Sequence, residues 1–345
     1  MKTDRFLVSI RCVTYNHSAY IAKALDGFAM QKTSFPFIAV VVDDASTDGE
    51  QMLLMSYMNE HFDCSEGAGF EQWETEEACW TFARNKINEN CYFIVICLKK
   101  NLYKNPKKDE LMKDWIDTKY VAFCEGDDYW IDPMKLQKQV DILEADDTLM
   151  AVVTNSKLVD KDGNELKVKQ DDVVPGNKQG RYGLRSFIYK VHHYPTATVC
   201  YRGTHVDEIE RMMERTANPY LGDWTFWISL HVFGDFFYLD QVTSAYRINP
   251  TSVTHTYNRV KRAKANWTIC KSVQDILPNE YDDIRKSLEK KTWMWIDLAF
   301  AYRHERQYLR MLWCFGVAFI RDPRCLIEDF KNRKTKMNQS QIIYK

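Results

Sequence analysis

Tyr120-Val121-Ala122-Phe123-Cys124-Glu125-Gly126-Asp127-Asp128-Tyr129-Trp130 is the stretch on which the reading of this chain turns. A short apolar run that stops abruptly reads as a buried strand. This one ends in three carboxylates, Glu125, Asp127 and Asp128. Neighbouring carboxylates resist ionising together unless a cation offsets them, so a packed core gains nothing from the cluster. Hard oxygen donors of this kind suit Mg²⁺ or Mn²⁺, which complete their shells with water and substrate phosphates. The stretch therefore predicts a strand end that holds a metal and a diphosphate. Asp132-Pro133 already supplies the start of the next helix, so the acidic cluster is not needed as a cap.

A second acidic strand end lies upstream, where Phe37-Ile38-Ala39-Val40-Val41-Val42 runs into Asp43-Asp44-Ala45-Ser46-Thr47-Asp48-Gly49. In open α/β sheets ligands bind beyond the carboxyl ends of the strands, so two such ends imply one shared site. By itself Asp43-Asp44 also suits a turn and a helix cap.

Outward from these two ends the chain alternates strands and helices. Phe6 to Val13 reads as a first strand, Thr14-Tyr15-Asn16-His17 as the loop after it, and Ser18 as the cap of a helix carrying Ile21, Ala24, Leu25, Phe28 and Ala29. Ser46 or Thr47 is expected to cap the helix that carries Met52, Leu53 and Tyr57, with Asp48 favouring its positive end. No periodicity is legible from His61 to Glu77, which reads as a surface insertion. Cys91 to Leu98 is the next strand, Asp109 to Asp117 a short helix, Leu136, Val140 and Leu143 mark another helix, and Met150 to Thr154 another strand. Thr196 to Tyr201, Phe236 to Leu239 and Val242 to Arg247 read as strands, and Asp223 to Phe233 as an aromatic-rich helix. From Asn258 onward the pattern is helical. The order predicts an α/β fold: a Rossmann-like, doubly wound, mostly parallel sheet with a C-terminal helical extension.

Bulk properties narrow the class. The 345 residues carry a formal net charge of −1, without the basic excess of a nucleic-acid binder. Ten cysteines show no Cys-x-x-Cys pair and read as reduced, mostly buried thiols. The amino terminus enters a strand with no apolar signal segment, which makes a cytoplasmic protein the expectation. Asn16-His17-Ser18, Asn266-Trp267-Thr268 and Asn338-Gln339-Ser340 match a glycosylation acceptor, a pattern that carries nothing without secretion. No apolar stretch reaches the length of a membrane span. Met311 to Ile320, followed by Arg321, Arg324, Lys331, Arg333, Lys334 and Lys336, fits either a packed helix with a solvated basic tail or a helix resting on the inner face of an anionic membrane.

Together these segments resemble the inverting family 2 glycosyltransferases of the GT-A fold, of the bacterial surface-polysaccharide type. The resemblance covers residues 6 to 255. It is carried by Val8-Ser9-Ile10 with Thr14-Tyr15-Asn16, by Val41 to Gly49, by Glu125-Gly126-Asp127-Asp128-Tyr129-Trp130 with Lys135-Leu136-Gln137-Lys138-Gln139, and by Leu221-Gly222-Asp223-Trp224 with Tyr246-Arg247. The chain departs from the pattern at Glu125, where the family often has aspartate, at Gly222, where glutamate is usual, and in a longer stretch from His61 to Asn90.

The resemblance implies a catalytic domain over 1–255, with a nucleotide-sugar half at 1–155 and an acceptor half at 156–255, and a helical region over 256–345. Its substrates would be a nucleotide-sugar donor, probed first as a UDP-sugar, and a glycan or lipid-linked acceptor. Asp43 and Asp44 would accept hydrogen bonds from base and ribose, with Thr14, Tyr15 and Asn16 beside them. Asp127, assisted by Glu125 or Asp128, would hold Mg²⁺ or Mn²⁺ at the diphosphate. Asp223 would be the general base, unless it only caps its helix. Trp224, Arg247 and His255 would lie on the acceptor or diphosphate side, Arg247 binding either a phosphate or a carboxylate. Tyr194 and Tyr220 could stack on sugars, while Phe226 and Trp227 read as core. His192-His193 read as surface histidines. Two rival chemistries fit less well: a nucleotidyltransferase lacks its glycine-rich basic loop after the first strand, and Arg11-Cys12-Val13 offers no phosphatase nucleophile. A sugar-binding module without activity remains the non-enzyme alternative.

Overall fold

The computed structural model describes residues 5–65, 69–103, 105–166, 178–188, 194–215, 222–248, 259–290, 292–324 and 326–327. The chain divides into two compact units. The first comprises Met1–Leu166, Asp172–Val206 and Phe233–Arg247, and the second Lys167–Asp171, Asp207–Val232 and Ile248–Lys345.

The first unit is built on one mixed sheet. Its centre is parallel: β1 (Val8–Thr14) lies between β2 (Phe37–Asp43) and β6 (Tyr120–Phe123), and β5 (Cys91–Leu98) adds to β2. Every residue of β2 is buried, as expected of a strand covered on both faces. The register pairs Thr14 with Asp43 and Arg11 with Phe123, so the loops after β1, β2 and β6 leave the sheet at the same edge. Helix α1 (Ile21–Ala29) buries Ile21, Ala24, Leu25 and Phe28 against this sheet. It also comes close to β7 (Tyr129–Trp130), where a Cβ on Gly27 would stand 2.9 Å from the Trp130 nitrogen. Helices α2 (Glu50–His61), α3 (Lys107–Ile116) and α4 (Lys135–Ala145) complete the two helical layers.

Beyond β6 the sheet continues through β10 (Val199–Arg202), β8 (Leu149–Val159) and β11 (Asp235–Arg247), with β7 pairing β11 at its far end and β9 (Gly180–Tyr182) also pairing β11. The two strand-like runs expected from Phe236 to Arg247 are one strand with register shifts near Val242, which bend it without breaking it. Thr196–Thr198 is a single 3-10 turn rather than the start of a strand.

The stretch read as an insertion is corrected by the structure. Glu71–Glu74 (β3) and Ala78–Arg84 (β4) form a hairpin that extends the sheet beyond β5. Trp73 lies opposite Trp80, the rings stacked 5.4 Å apart, and this cross-strand aromatic pair sets the register. The glutamates around it concealed the strand pattern. The expected caps are also corrected. Tyr20 and Gly49 precede α1 and α2, and neither helix is closed by a capping side chain of its N-cap residue. Ser18, Ser46 and Thr47 instead tie the two loops together, as described below.

Within the second unit, helices span Gly222–His231, Arg259–Ile276, Asp282–Lys290, Thr292–His304 and Tyr308–Arg321. Trp267, Trp295 and Trp313 meet edge to face, with centroids 4.4 and 5.0 Å apart. The last helix buries Cys314 and Ala318 but leaves Leu309 and Ile320 more than four-fifths exposed, at 86% and 83%. Among the described residues no helix is long and apolar enough to cross a membrane.

Candidate functional site

Three loops at the carboxyl edge of β1, β2 and β6 are bonded into one structure. The loop after β1 turns at Asn16 and the loop after β2 at Ala45, both with positive φ (56° and 59°). Such strain persists only where surrounding bonds over-determine it, and it clusters at functional sites. Those bonds are present. Asn16 N–H donates to Ser46 Oγ at 2.8 Å, Thr47 N–H donates to Asn16 Oδ1 at 2.8 Å, and Ser18 N–H donates to Asp48 Oδ2 at 2.9 Å.

The hub of this zipper is Glu50, a residue the sequence reading passed over. It is fully buried. It accepts from Thr14 Oγ1, from His17 N–H at 2.8 Å and from Ser46 Oγ at 2.9 Å. Burial raises its pKa above the ordinary range, and the three donors oppose that rise. The signal available in the sequence was an acidic residue directly after Gly49, a position where a first-turn helix charge is ordinary.

Asp43 and Asp44 occupy different environments. Asp43 Oδ1 accepts from Ser46 N–H and from Gln51 Nε2, at 2.9 and 2.6 Å. Its Oδ2 is buried and has no hydrogen-bond partner among the described residues, the kind of acceptor that a ligand N–H or hydroxyl would satisfy. Asp44 is closed by the protein itself: Oδ1 accepts from Leu102 N–H, and Oδ2 pairs with Lys108 Nζ at 2.9 Å. Its carboxylate anchors the segment after β5, and Asp43 holds the open acceptor. Tyr15 is 45% exposed beside them.

The acidic cluster after β6 is likewise sorted. Gly126 fits only because it lacks a side chain, since a Cβ there would meet Thr14 Cβ at 2.6 Å. Glu125 Oε2 accepts from Thr196 Oγ1 at 2.9 Å. Asp128 is 4% exposed, and its Oδ1 accepts from Arg247 N–H at 2.8 Å. Burial, then the neighbouring Asp127 charge, pushes its carboxyl well above the usual range. Through Oδ1, Asp128 ties β11 to the acidic turn. Asp127 keeps an accessible side chain, at 22%, with His17 Nε2 3.9 Å away, and Glu125 is likewise only half-buried.

Arg247 lies beneath the same turn. Buried to 4%, it donates from Nε to Asp127 O at 2.8 Å and from Nη1 to Asp160 O and Lys161 O at 3.0 and 2.9 Å. Its guanidinium lies over Tyr20, 4.4 Å from the centroid. These hydrogen bonds tie β11 to the acidic turn and to the chain after β8.

Behind the turn, Trp130 Nε1 donates to Ala197 O at 2.9 Å, and Lys135 Nζ lies 4.3 Å from the Trp130 centroid while donating to Gln139 Oε1. Burial depresses the Lys135 pKa to about 8.

Asp223 and Trp224 belong to the second unit. Asp223 stands exposed in the first turn of Gly222–His231, inside the helix rather than at its cap, and Trp224 is half-buried. Trp227 is core, as read. Tyr194 is also core, 1% exposed and stacked between Phe187 and Phe236. His192, His193, Tyr220 and His255 lie outside the described residues.

The fold of this chain is similar to that of several solved structures. The chain aligns over 91% of its length with Staphylococcus aureus TarS, at 16% identity and a TM-score of 0.53, covering 53% of that chain. The TarS 1–349 structure in complex with UDP-GlcNAc gives the same score, with 88% of that chain covered. The fold is GT-A. A second GT-A neighbour is the mannosyltransferase PcManGT of Pyrobaculum calidifontis, solved with GDP-Man and Mn²⁺, at 15% identity and a TM-score of 0.53 over 99% of this chain and 86% of that one. In sequence, the chain is 25% identical over 249 residues to the uncharacterized protein Rv1520 of Mycobacterium tuberculosis. That match takes in 72% of this chain and 61% of the relative's length. No protein-family model matches the sequence. Among the described residues no group of three or more His, Cys, Asp or Glu side chains is gathered as a metal site.

Proposed function

We propose that the protein is an inverting glycosyltransferase, moving a sugar from a nucleoside-diphosphate donor to a hydroxyl of a glycan or lipid-linked acceptor. One observation carries the reading: three loops at the carboxyl edge of a parallel sheet are tied together, the first two through Glu50 and the third through Gly126 N–H to Val13 O, with the Asp127 carboxylate accessible among them. Crevices at such sheet edges bind nucleotides. The GT-A neighbours, solved with UDP-GlcNAc or with GDP-Man and Mn²⁺, support the same class of donor.

In this reading Asp43 receives the base or ribose through its unpartnered Oδ2, with Tyr15 and the backbone of Thr14 to Asn16 alongside. Asp127, with Glu125 near it, is the residue suited to Mg²⁺ or Mn²⁺. The residues fit such an ion as a partial shell only, which is how Mg²⁺ and Mn²⁺ commonly bind beside phosphates. When bound, the ion would supply Lewis-acid stabilisation of the departing diphosphate. Asp223 takes the proton from the acceptor hydroxyl as its oxygen forms the new bond to the anomeric carbon and the bond to the nucleotide diphosphate breaks. A single displacement inverts that centre. The exposed apolar residues of Tyr308–Arg321, with Arg310 and Arg321 on the same helix, suit contact with a membrane that carries a lipid-linked acceptor.

The test is incubation of the chain with UDP-, GDP- and TDP-sugars and Mn²⁺, with nucleoside diphosphate release followed alongside calorimetric titration. Asp223→Asn should lower kcat by about a hundred- to ten-thousandfold with donor affinity unchanged. Donor binding with no turnover on any acceptor, indifferent to Asp223→Asn, would instead identify a binding module. No nucleotide binding at all would sink the proposal.

A further inference from the structure

We infer that His17 is a direct ligand of the divalent ion at Asp127, an assignment that rests on the nucleotide-sugar reading above. His17 Nε2 and Asp127 Oδ2 are 3.9 Å apart, and the two side chains are similarly accessible, at 23% and 22%. That separation is too long for a hydrogen bond. It falls within the span of two donors on one ion: with bonds of about 2.1 Å, the donor atoms stand roughly 3 Å apart at a right angle and roughly 4.2 Å apart in line.

The protonation of the ring follows from the bonds behind it. Thr14 Oγ1 donates its one proton to buried Glu50. At 3.3 Å from His17 Nδ1 the same oxygen can therefore only accept, which assigns the ring proton to Nδ1. Nε2 is left with its lone pair on the side of Asp127. Glu50 fixes the residue a second time through His17 N–H. A carboxylate acting through an outer-shell contact is how metal-binding imidazoles are commonly oriented. The remaining acidic groups are engaged elsewhere, Glu125 with Thr196 and Asp128 with the Arg247 N–H. His17 Nε2 and Asp127 Oδ2 thus offer one nitrogen and one oxygen from two different strand ends, with the rest of the shell left to neighbouring carboxylate oxygens, diphosphate oxygens and water. An imidazole donor also suits a transition ion better than Mg²⁺, whose preference for oxygen is stricter.

The experiment uses the untagged full chain with Mn²⁺ and UDP, and in parallel with Mn²⁺ and GDP. Pulsed EPR should show nitrogen hyperfine coupling to the bound Mn²⁺. His17→Gln should abolish the coupling and weaken Mn²⁺ binding by about tenfold or more, with the urea unfolding midpoint unchanged. The wild type should also bind Mn²⁺ more tightly than Mg²⁺, and His17→Gln should narrow that gap. Mn²⁺ bound by the wild type without nitrogen coupling, as an imidazolium paired with Asp127 would give, overturns the assignment. So does coupling that survives in His17→Gln. Failure of the wild type to bind nucleotide with any metal would overturn the proposed function beneath it as well.

Discussion

Replacing Gly126 by alanine should disable the site by steric means alone. The new Cβ would stand 2.6 Å from Thr14 Cβ and 3.1 Å from Ile21 Cδ1, with Thr14 Oγ1 nearer still. Ordinary carbon contacts begin near about 3.5 Å, so Thr14 would have to retreat by roughly 1 Å. It cannot rotate clear without breaking its bond to Glu50, because β1 is fixed on both sides by β2 and β6. Overpacking of this kind costs about 1–3 kcal/mol, and loss of a hydrogen bond to a buried carboxylate costs about 1.5–3 kcal/mol. The expected loss is therefore about 3–5 kcal/mol, read as a lower urea midpoint at constant slope. Nucleotide affinity should fall with it, since Glu50 also holds His17 and Ser46. A variant less than about 1 kcal/mol down, with nucleotide binding intact, would show that the turn has room the structure does not reveal and would refute the reasoning.

The buried Lys135 gives a pH dependence. Its folded pKa, near 8, lies below that of an unfolded lysine, so from about pH 8 upward the unfolded chain keeps a proton the folded chain has released. Stability should then rise with pH toward the ordinary lysine range, with a limiting slope of about 1.4 kcal/mol per unit; Lys135→Met should flatten that rise, and equal urea midpoints at pH 8 and 10 in the wild type would count against it. Arg247→Met removes a charged donor from three carbonyls and should cost about 3 kcal/mol or more together with metal-dependent nucleotide binding. Arg247→Lys should rescue little, because a point charge cannot reproduce the guanidinium's spread of donors; a lysine variant of wild-type stability and affinity would contradict the positioning role.

The strands that failed to show in the sequence failed for identifiable reasons. β3 and β4 are surrounded by Glu71, Glu74, Glu76 and Glu77, and their pattern is held by a Trp73–Trp80 pair that only antiparallel folding brings together. Of the expected caps, Ser46 uses the right chemistry on another partner, its hydroxyl accepting from Asn16 N–H, while Ser18 and Thr47 donate their backbone N–H groups. These residues satisfy the neighbouring loop, since parallel strands deliver both loops to one edge.

What the sequence determined by itself was the central sheet and the location of its working edge. Continuous apolar runs at 37–42, 91–98 and 120–124 can only be strands buried on both faces, and each acidic end marks where burial stops. Which carboxylate stays accessible was decided by tertiary structure. Asp43, Asp44, Asp127 and Asp128 are alike in sequence, yet Lys108 and Leu102 close Asp44 and the Arg247 backbone closes Asp128. Those partners lie 58 to 119 residues away. Charge and hydrogen bonding act through space, and no local spacing encodes which distant donor reaches a given oxygen.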